Sequence, residues 1–253
     1  MAKGDSQNMS FWDHIDELRG NLIRSVLVIL FVFFILFFFK SFVFDSVVLA
    51  PLSKDFPMYR LLGISPQIRL INIEISAQFF IHIKVTFLLS LILSAPIVLF
   101  ELWRFVAPAL YENEKAAFKI AFGVGTILFY AGLSFAYLVL LPIILYFFEG
   151  YELSSKIINS FSLSSYISLF NSMTLMMGLL FEFPSVAFVL SKLGIINRKM
   201  MRGWRRYAVV VILILAAVLT PTGDPFTMLV VALPVYLLYE LSILICRKDD
   251  IDK

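Results

Sequence analysis

Cysteine is nearly absent from this sequence: Cys246 stands alone, which excludes an intramolecular disulfide and any multi-cysteine metal site. Histidine is almost as scarce, and His14 and His82 lie too far apart to suggest a metal constellation. Charge is also short, at 15% of residues against roughly 25% in an ordinary soluble domain. No Lys/Arg run with interleaved aromatics points to nucleic acid. There is no glycine-rich phosphate loop, HExxH run, intramembrane aspartate pair or Ser/His arrangement in the apolar segments, so neither an enzyme nor a bound cofactor is expected.

What the chain has instead is apolar length. Hydrophobic residues make up 60% of it and the mean hydropathy is +0.91, more apolar surface than a water-soluble core absorbs. Stretches near the ~20 residues needed to cross a bilayer fall at 22–44, 77–100, 116–148, 163–190 and 227–246. A sixth, 207–220, is shorter and spans only about 21 Å of a hydrocarbon core about 30 Å thick. The first stretch follows Asp13, Asp16 and Glu17 and precedes no small-residue cleavage site, so it reads as an uncleaved span.

Loop charge decides the number of crossings. With six spans, Lys3, Arg19, Arg104, Lys115, Lys192, Arg198, Lys199, Arg202, Arg205, Arg206, Arg247, Lys248 and Lys253 share one side. The other side holds Lys54, Arg60, Arg69 and Lys156, with Lys40 at its border. Basic loops stay in the cytoplasm. The expected fold is therefore an all-α integral membrane protein, a single polytopic domain with six transmembrane helices and both termini cytoplasmic. The outer loop 41–76 contains Pro51, Pro57 and Pro66 and reads as a structured cap, whereas Pro221, Gly223, Asp224 and Pro225 make the last outer turn.

Three places invite a functional reading. Phe11, Trp12, Ile15, Leu18 and Leu22 recur at helical spacing among Asp13, Asp16, Glu17 and Arg19, describing an amphipathic helix on the cytoplasmic face with Ser10 as its N-cap. It is either a recognition surface or a plain interfacial anchor. The segment 101–115 combines aromatics with Glu101, Glu112 and Glu114 on the basic side, either a binding surface or a solvated charged loop.

Glu182 lies about 15 Å along its helix from the boundary at Lys192, in an otherwise apolar setting, where an ionised acid costs about 2.5–3.5 kcal/mol. It belongs to a helical stripe of Ser164, Ser168, Asn171, Thr174, Gly178, Glu182 and Ser185. A helix-packing seam accounts for the small residues and hydroxyls but poorly for the acid. Pro184 should kink the helix beside it. Lys84 can snorkel outward, Glu240 is placed to meet a cytoplasmic base, and Arg205-Arg206 follows from the positive-inside bias.

His14-Ile-Asp-Glu-Leu-Arg19, Leu93-Ser-Ala-Pro96, the run from Phe105 to Tyr111 with Glu114, Phe181-Glu-Phe-Pro184, Thr220-Pro221 with Asp224, and Leu238-Tyr-Glu240 occur in that order. Together they resemble TatC, the receptor subunit of the twin-arginine protein translocase, over nearly the whole chain. The resemblance implies a glove-shaped protein of a bacterial cytoplasmic membrane. Such a protein binds twin-arginine signal peptides of folded precursors, assembles with single-span TatA and TatB partners and with itself, and is driven by the protonmotive force. It also implies a signal-recognition surface at Glu17, Arg19, Phe105 and Glu114, an intramembrane polar site at Glu182 and Pro184, and outer-loop roles for Pro51 and Asp224. Met228 departs from the polar Gln of many relatives at the outer hairpin. A rival reading makes Glu182 the proton-carrying acid of an ion-coupled small-solute transporter, although no inverted repeat is visible.

Overall fold

The computed structural model describes residues 11–106, 112–154, 156, 159–220 and 223–247, with backbone alone at 11–14, 106, 112–114, 116–117 and 219. Among them, five helices are long and apolar enough to cross a membrane.

Helix α1 (Phe11–Phe38) runs unbroken through the segment expected to be a separate surface helix, so the amphipathic stretch and the first span are one rod. No proline stands between Phe11 and Phe38, and a lone Gly20 does not remove a backbone donor, so the helix has no reason to stop. Ser10, the expected cap, lies outside the described residues. A π-helical turn (Phe42–Val48) and a short 3-10 turn (Ala50–Leu52) lead into α2 (Pro57–Leu62), which ends where Gly63 takes φ 67°.

Helix α3 (Ala77–Val106) returns antiparallel along α1: Phe37 stacks on His82 at one end and Arg24 meets Glu101 at the other. Helix α4 (Glu112–Phe135) continues through a π-helical segment (Ala136–Leu140) into α5 (Leu141–Gly150). Pro142 has no N–H and crowds the carbonyl four residues back, and the wider π register just before it accommodates the ring.

Ser162 caps α6 (Leu163–Phe181) by accepting from the Ser165 N–H at 3.1 Å. Glu182 separates α6 from α7 (Phe183–Lys192), so the proline-linked break falls at the expected place. After α8 (Arg198–Gly203), α9 (Arg205–Leu219) has 15 residues, about 22 Å at the helical rise, and falls short of crossing length. It packs on α10 (Pro225–Ile245), which also leans on α7.

The loop 41–76, expected on the outer side, is folded, as its prolines suggested. Its strand β1 (Leu70–Ile71) pairs in parallel with β2 (Phe161–Ser162). Three tyrosines fasten the cap by donating to its carbonyls: Tyr137 to Val47 at 2.8 Å, Tyr166 to Val48, and Tyr59 to Pro51 at 3.0 Å. Tyr59 is fully buried, and that burial, reinforced by the Glu149 charge, pushes its phenol well above the ordinary tyrosine range. The main core gathers Leu140, Leu141, Ile144, Phe170, Met173 and Met177 where α4, α5 and α6 meet.

Candidate functional site

The first concentration of unusual chemistry lies in the seam between α1 and α3. Glu17, Asn21 and Arg24 are spaced four and three residues apart and so share one stripe of α1. From α3, Glu101 faces this stripe. Both Arg24 Nε, at 3.1 Å, and Arg24 Nη2, at 3.0 Å, reach the same Glu101 oxygen, Oε2. Arg24 Nη2 also donates to Asn21 Oδ1. The Glu101 side chain is 11% exposed and that of Arg24 47%, so the acid is enclosed while its partner stays open to the surroundings.

The seam is not electrically complete. Glu17 Oε2 and Asn21 Nδ2 are buried with no hydrogen-bond partner among the described residues. Buried polar atoms are normally satisfied; among the described residues His82, Thr86, Ser94, Asn171 and Thr174 also carry orphaned atoms, but only Glu17 and Glu182 contribute a carboxylate oxygen. Phe105 stands one turn beyond Glu101 on α3, and Glu17 two turns from Arg24 in the same direction, because the two helices run antiparallel. Glu17 and Phe105 are thus brought to the same mouth. Arg19 is exposed and lies about 200° around α1 from Glu17, off the seam. Glu114 stands in the first turn of the next helix, and its side chain lies outside the described residues.

The second concentration is at the α6/α7 break. The Glu182 carboxyl nests against Gly125 of α4, where an added Cβ would sit 2.6 Å from Oε2. Only glycine permits that approach. Ser185 donates to the Ala121 carbonyl at 2.8 Å, securing the same face to α4. Gly178 similarly receives the Phe129 ring, 2.9 Å from where its Cβ would lie. Asn171, Thr174 and Ser185 are buried, so much of the polar stripe is turned inward as a packing seam. Glu182 is half-buried, and its buried Oε1, like the amide atoms of Asn171 and the hydroxyl of Thr174, has no partner among the described residues; it differs from those neighbours in being an acid. Pro184 is buried at the first turn of α7, where its missing N–H costs no hydrogen bond.

The remaining expected residues have local structural duties. Pro51 is buried in the cap and its carbonyl accepts from Tyr59. Asp224 caps α10, accepting from the Thr227 N–H at 2.8 Å and from the Thr227 hydroxyl. Glu240 takes Arg205 at 2.6 Å and the Tyr236 hydroxyl at 3.0 Å, the pairing with a basic residue that its position suggested. Sequence reasoning missed Arg24, Asn21 and Gly125. Two signals pointed to the first pair: a charge inside an apolar run, and its seven-residue spacing from Glu17. Gly125 carries no such signal, because its importance lies in the carboxyl of another helix.

Residues 13–234 match the family described as Sec-independent protein translocase protein (TatC). The TatC protein of Blattabacterium sp. subsp. Periplaneta americana is 35% identical over 258 residues, covering 96% of this chain and 97% of the relative. That of Escherichia coli K12 is 32% identical over 239 residues, covering 92% and 86% respectively. A crystal structure of the twin-arginine translocase receptor TatC superposes with a TM-score of 0.75 at 33% identity, covering 92% of this chain and 97% of that one. The same receptor crystallised in DDM gives 0.77 at 32% identity, with 92% and 99% covered.

Proposed function

The chain belongs to the TatC family of Sec-independent protein translocases, and from that premise we propose that it captures twin-arginine signal peptides at the cytoplasmic mouth of the α1–α3 seam. The observation that carries this reading is the orphaned Oε2 of Glu17, buried between helices with no donor among the described residues. A guanidinium offers two parallel N–H groups to a carboxylate, and each such charge-assisted pair exceeds a neutral hydrogen bond. A lysine ammonium lacks that planar fork, which accounts for a preference for arginine. Glu114 supplies the second carboxylate, Phe105 an apolar wall, and Arg19, on another face of α1, a contact to the signal's flanking residues.

The polypeptide crosses the bilayer six times with both ends cytoplasmic, placing the seam's mouth inside and the tyrosine-fastened cap, Pro51 and Asp224 outside. The short α9 locally thins the bilayer, a mismatch costing fractions of a kcal/mol per Å. Glu182, with Pro184 opening the helix beside it, hydrogen-bonds a polar residue of a single-span TatA- or TatB-type partner. Transport of the folded precursor draws on the protonmotive force in a bacterial cytoplasmic membrane. Family membership supports this reading over a small-solute transporter built on Glu182.

Signal-peptide affinity for Glu17→Ala, Glu114→Ala and the double variant, with Arg-Arg and Lys-Lys peptides at two salt concentrations, tests the capture site. Each acid is expected to contribute about 1.5–3 kcal/mol, roughly 10- to 150-fold in affinity. Undiminished Arg-Arg binding by the double variant, or equal affinity for Lys-Lys, overturns the assignment. Single cysteines tested in a Cys246→Ser background check the topology: one at Arg202 labels from the cytoplasm and one at Gln67 from outside, and the reverse pattern overturns it.

A further inference from the structure

We infer that Glu101 is a further carboxylate of the guanidinium site and that Arg24 occupies it in the resting protein as an internal stand-in for a signal arginine. The inference rests on the capture reading above and adds to it a residue and a device. The seam already holds a guanidinium: Arg24 places Nε and Nη2 on one Glu101 oxygen, at 3.1 and 3.0 Å. It therefore engages the acid through Oε2 alone, and no hydrogen bond among the described residues reaches Oε1.

The two partners are held very differently. Glu101 is enclosed by the helices, whereas nearly half of the Arg24 side chain is open, so the arginine can leave while the acid stays. A half-exposed ion pair is weakly held, because solvent screens it and a long side chain must be ordered to make it. Asn21 completes the arrangement. It is 4% exposed, accepts from Arg24 through its Oδ1, and leaves its buried Nδ2 without a partner among the described residues. Along the same stripe, Glu17 keeps its own oxygen buried and unfilled about 10 Å from the level of Arg24.

Two acids therefore stand in line on adjoining faces of one seam, one open and one filled by the chain's own arginine. A peptide with two adjacent arginines presents the chemistry to engage both, the first at the open site of Glu17 and Glu114 and the second by displacing Arg24 from Glu101. A single arginine gains only the open position. The device makes capture depend on a pair, since the second guanidinium must compete with a tethered one of identical chemistry.

A double-mutant cycle on the full-length protein in detergent tests this, with an Arg-Arg signal peptide as ligand and the thermal midpoint of each variant measured in parallel. Arg24→Gln is expected to bind about fivefold tighter, because the competitor is gone, and Glu101→Gln roughly tenfold weaker. The combined variant, whose two amides can bridge the seam without charge, is expected to bind as weakly as Glu101→Gln alone. A purely structural ion pair predicts the opposite: both single variants weaken binding and the amide pair restores it. That outcome overturns the inference. Should Arg24→Gln fail to fold, Arg24→Lys serves, keeping the charge but losing the fork, with about twofold tightening expected and any weakening counting against. Wild type that distinguishes Arg-Arg from Lys-Lys while Arg24 variants bind no tighter sinks the stand-in but leaves the receptor reading intact. Wild type that does not distinguish them sinks both.

Discussion

The α1–α3 seam and the Glu182 niche each hold an acid with an unfilled buried oxygen, yet their surroundings are opposites. In the seam, charge is answered by charge, with Arg24 on Glu101 and an amide beside it. In the niche, Glu182 faces a glycine and a serine hydroxyl already committed to a carbonyl. The difference teaches what each acid is suited to bind. A carboxylate among ionic groups suits a cation, and exchanging one guanidinium for another conserves the local charge. A carboxyl deep in an apolar helix bundle suits a neutral hydrogen-bonding group, since bringing a charge there is costly.

The largest effect expected from this contrast is on capture. Removing both Glu17 and Glu114 should lower Arg-Arg peptide affinity by at least 100-fold, and raising salt should weaken wild-type binding while leaving partner cross-linking through Glu182 unchanged. Isothermal titration at low and high salt, alongside photo-cross-linking, measures both, and a salt-insensitive affinity would erase the distinction between the regions. Next in size is Glu182 itself. Glu182→Ala should reduce partner-helix cross-linking about tenfold, whereas Glu182→Gln, which keeps a hydrogen-bonding head, should stay within about threefold of wild type. Equal losses in the two variants would mean that charge or proton release, rather than a neutral hydrogen bond, is what the niche provides.

Gly125→Ala sharpens the same point without touching the acid. The new methyl would lie 2.6 Å from Glu182 Oε2, so the carboxyl must swing away from α4. Partner cross-linking is expected to fall about threefold, with peptide affinity unchanged because Glu114, the capture residue on the same helix, lies about three turns from Gly125 and the seam is on other helices. A change in peptide affinity would show that the regions are coupled. The smallest effect belongs to Arg205–Glu240, an ion pair on the cytoplasmic side of the expected topology but outside the seam. Both partners are more than a quarter exposed, so Arg205→Gln should cost no more than about 1 kcal/mol of stability and leave capture within twofold. A tenfold loss of capture would extend the receptor surface to α9.

How far the sequence alone reaches is visible in particular residues. Glu182 and Pro184 were readable because an acid and a helix breaker inside an apolar run violate the composition that lipid imposes. Glu240 was readable because an acid at a basic boundary has partners nearby. The cap's existence was readable from its prolines, but not the tyrosines of α2, α6 and the π segment that fasten it. The unbroken α1 was misjudged, because amphipathic periodicity reports which face is apolar and says nothing of whether the rod bends at the membrane surface.

By itself, then, the sequence determined the helical class, the five helices long and apolar enough to cross a membrane, and the family it resembles. These follow from hydropathy length, charge asymmetry and breaker residues, all local or additive along the chain. Only the tertiary structure decided that Arg24 fills Glu101, that Glu17 shares a mouth with Phe105 while Arg19 turns away, and that Gly125 makes room for Glu182. The physical reason is that these are contacts between helices, set by packing angle and rotation about each helix axis, and no one-dimensional pattern records the rotation of one helix against another.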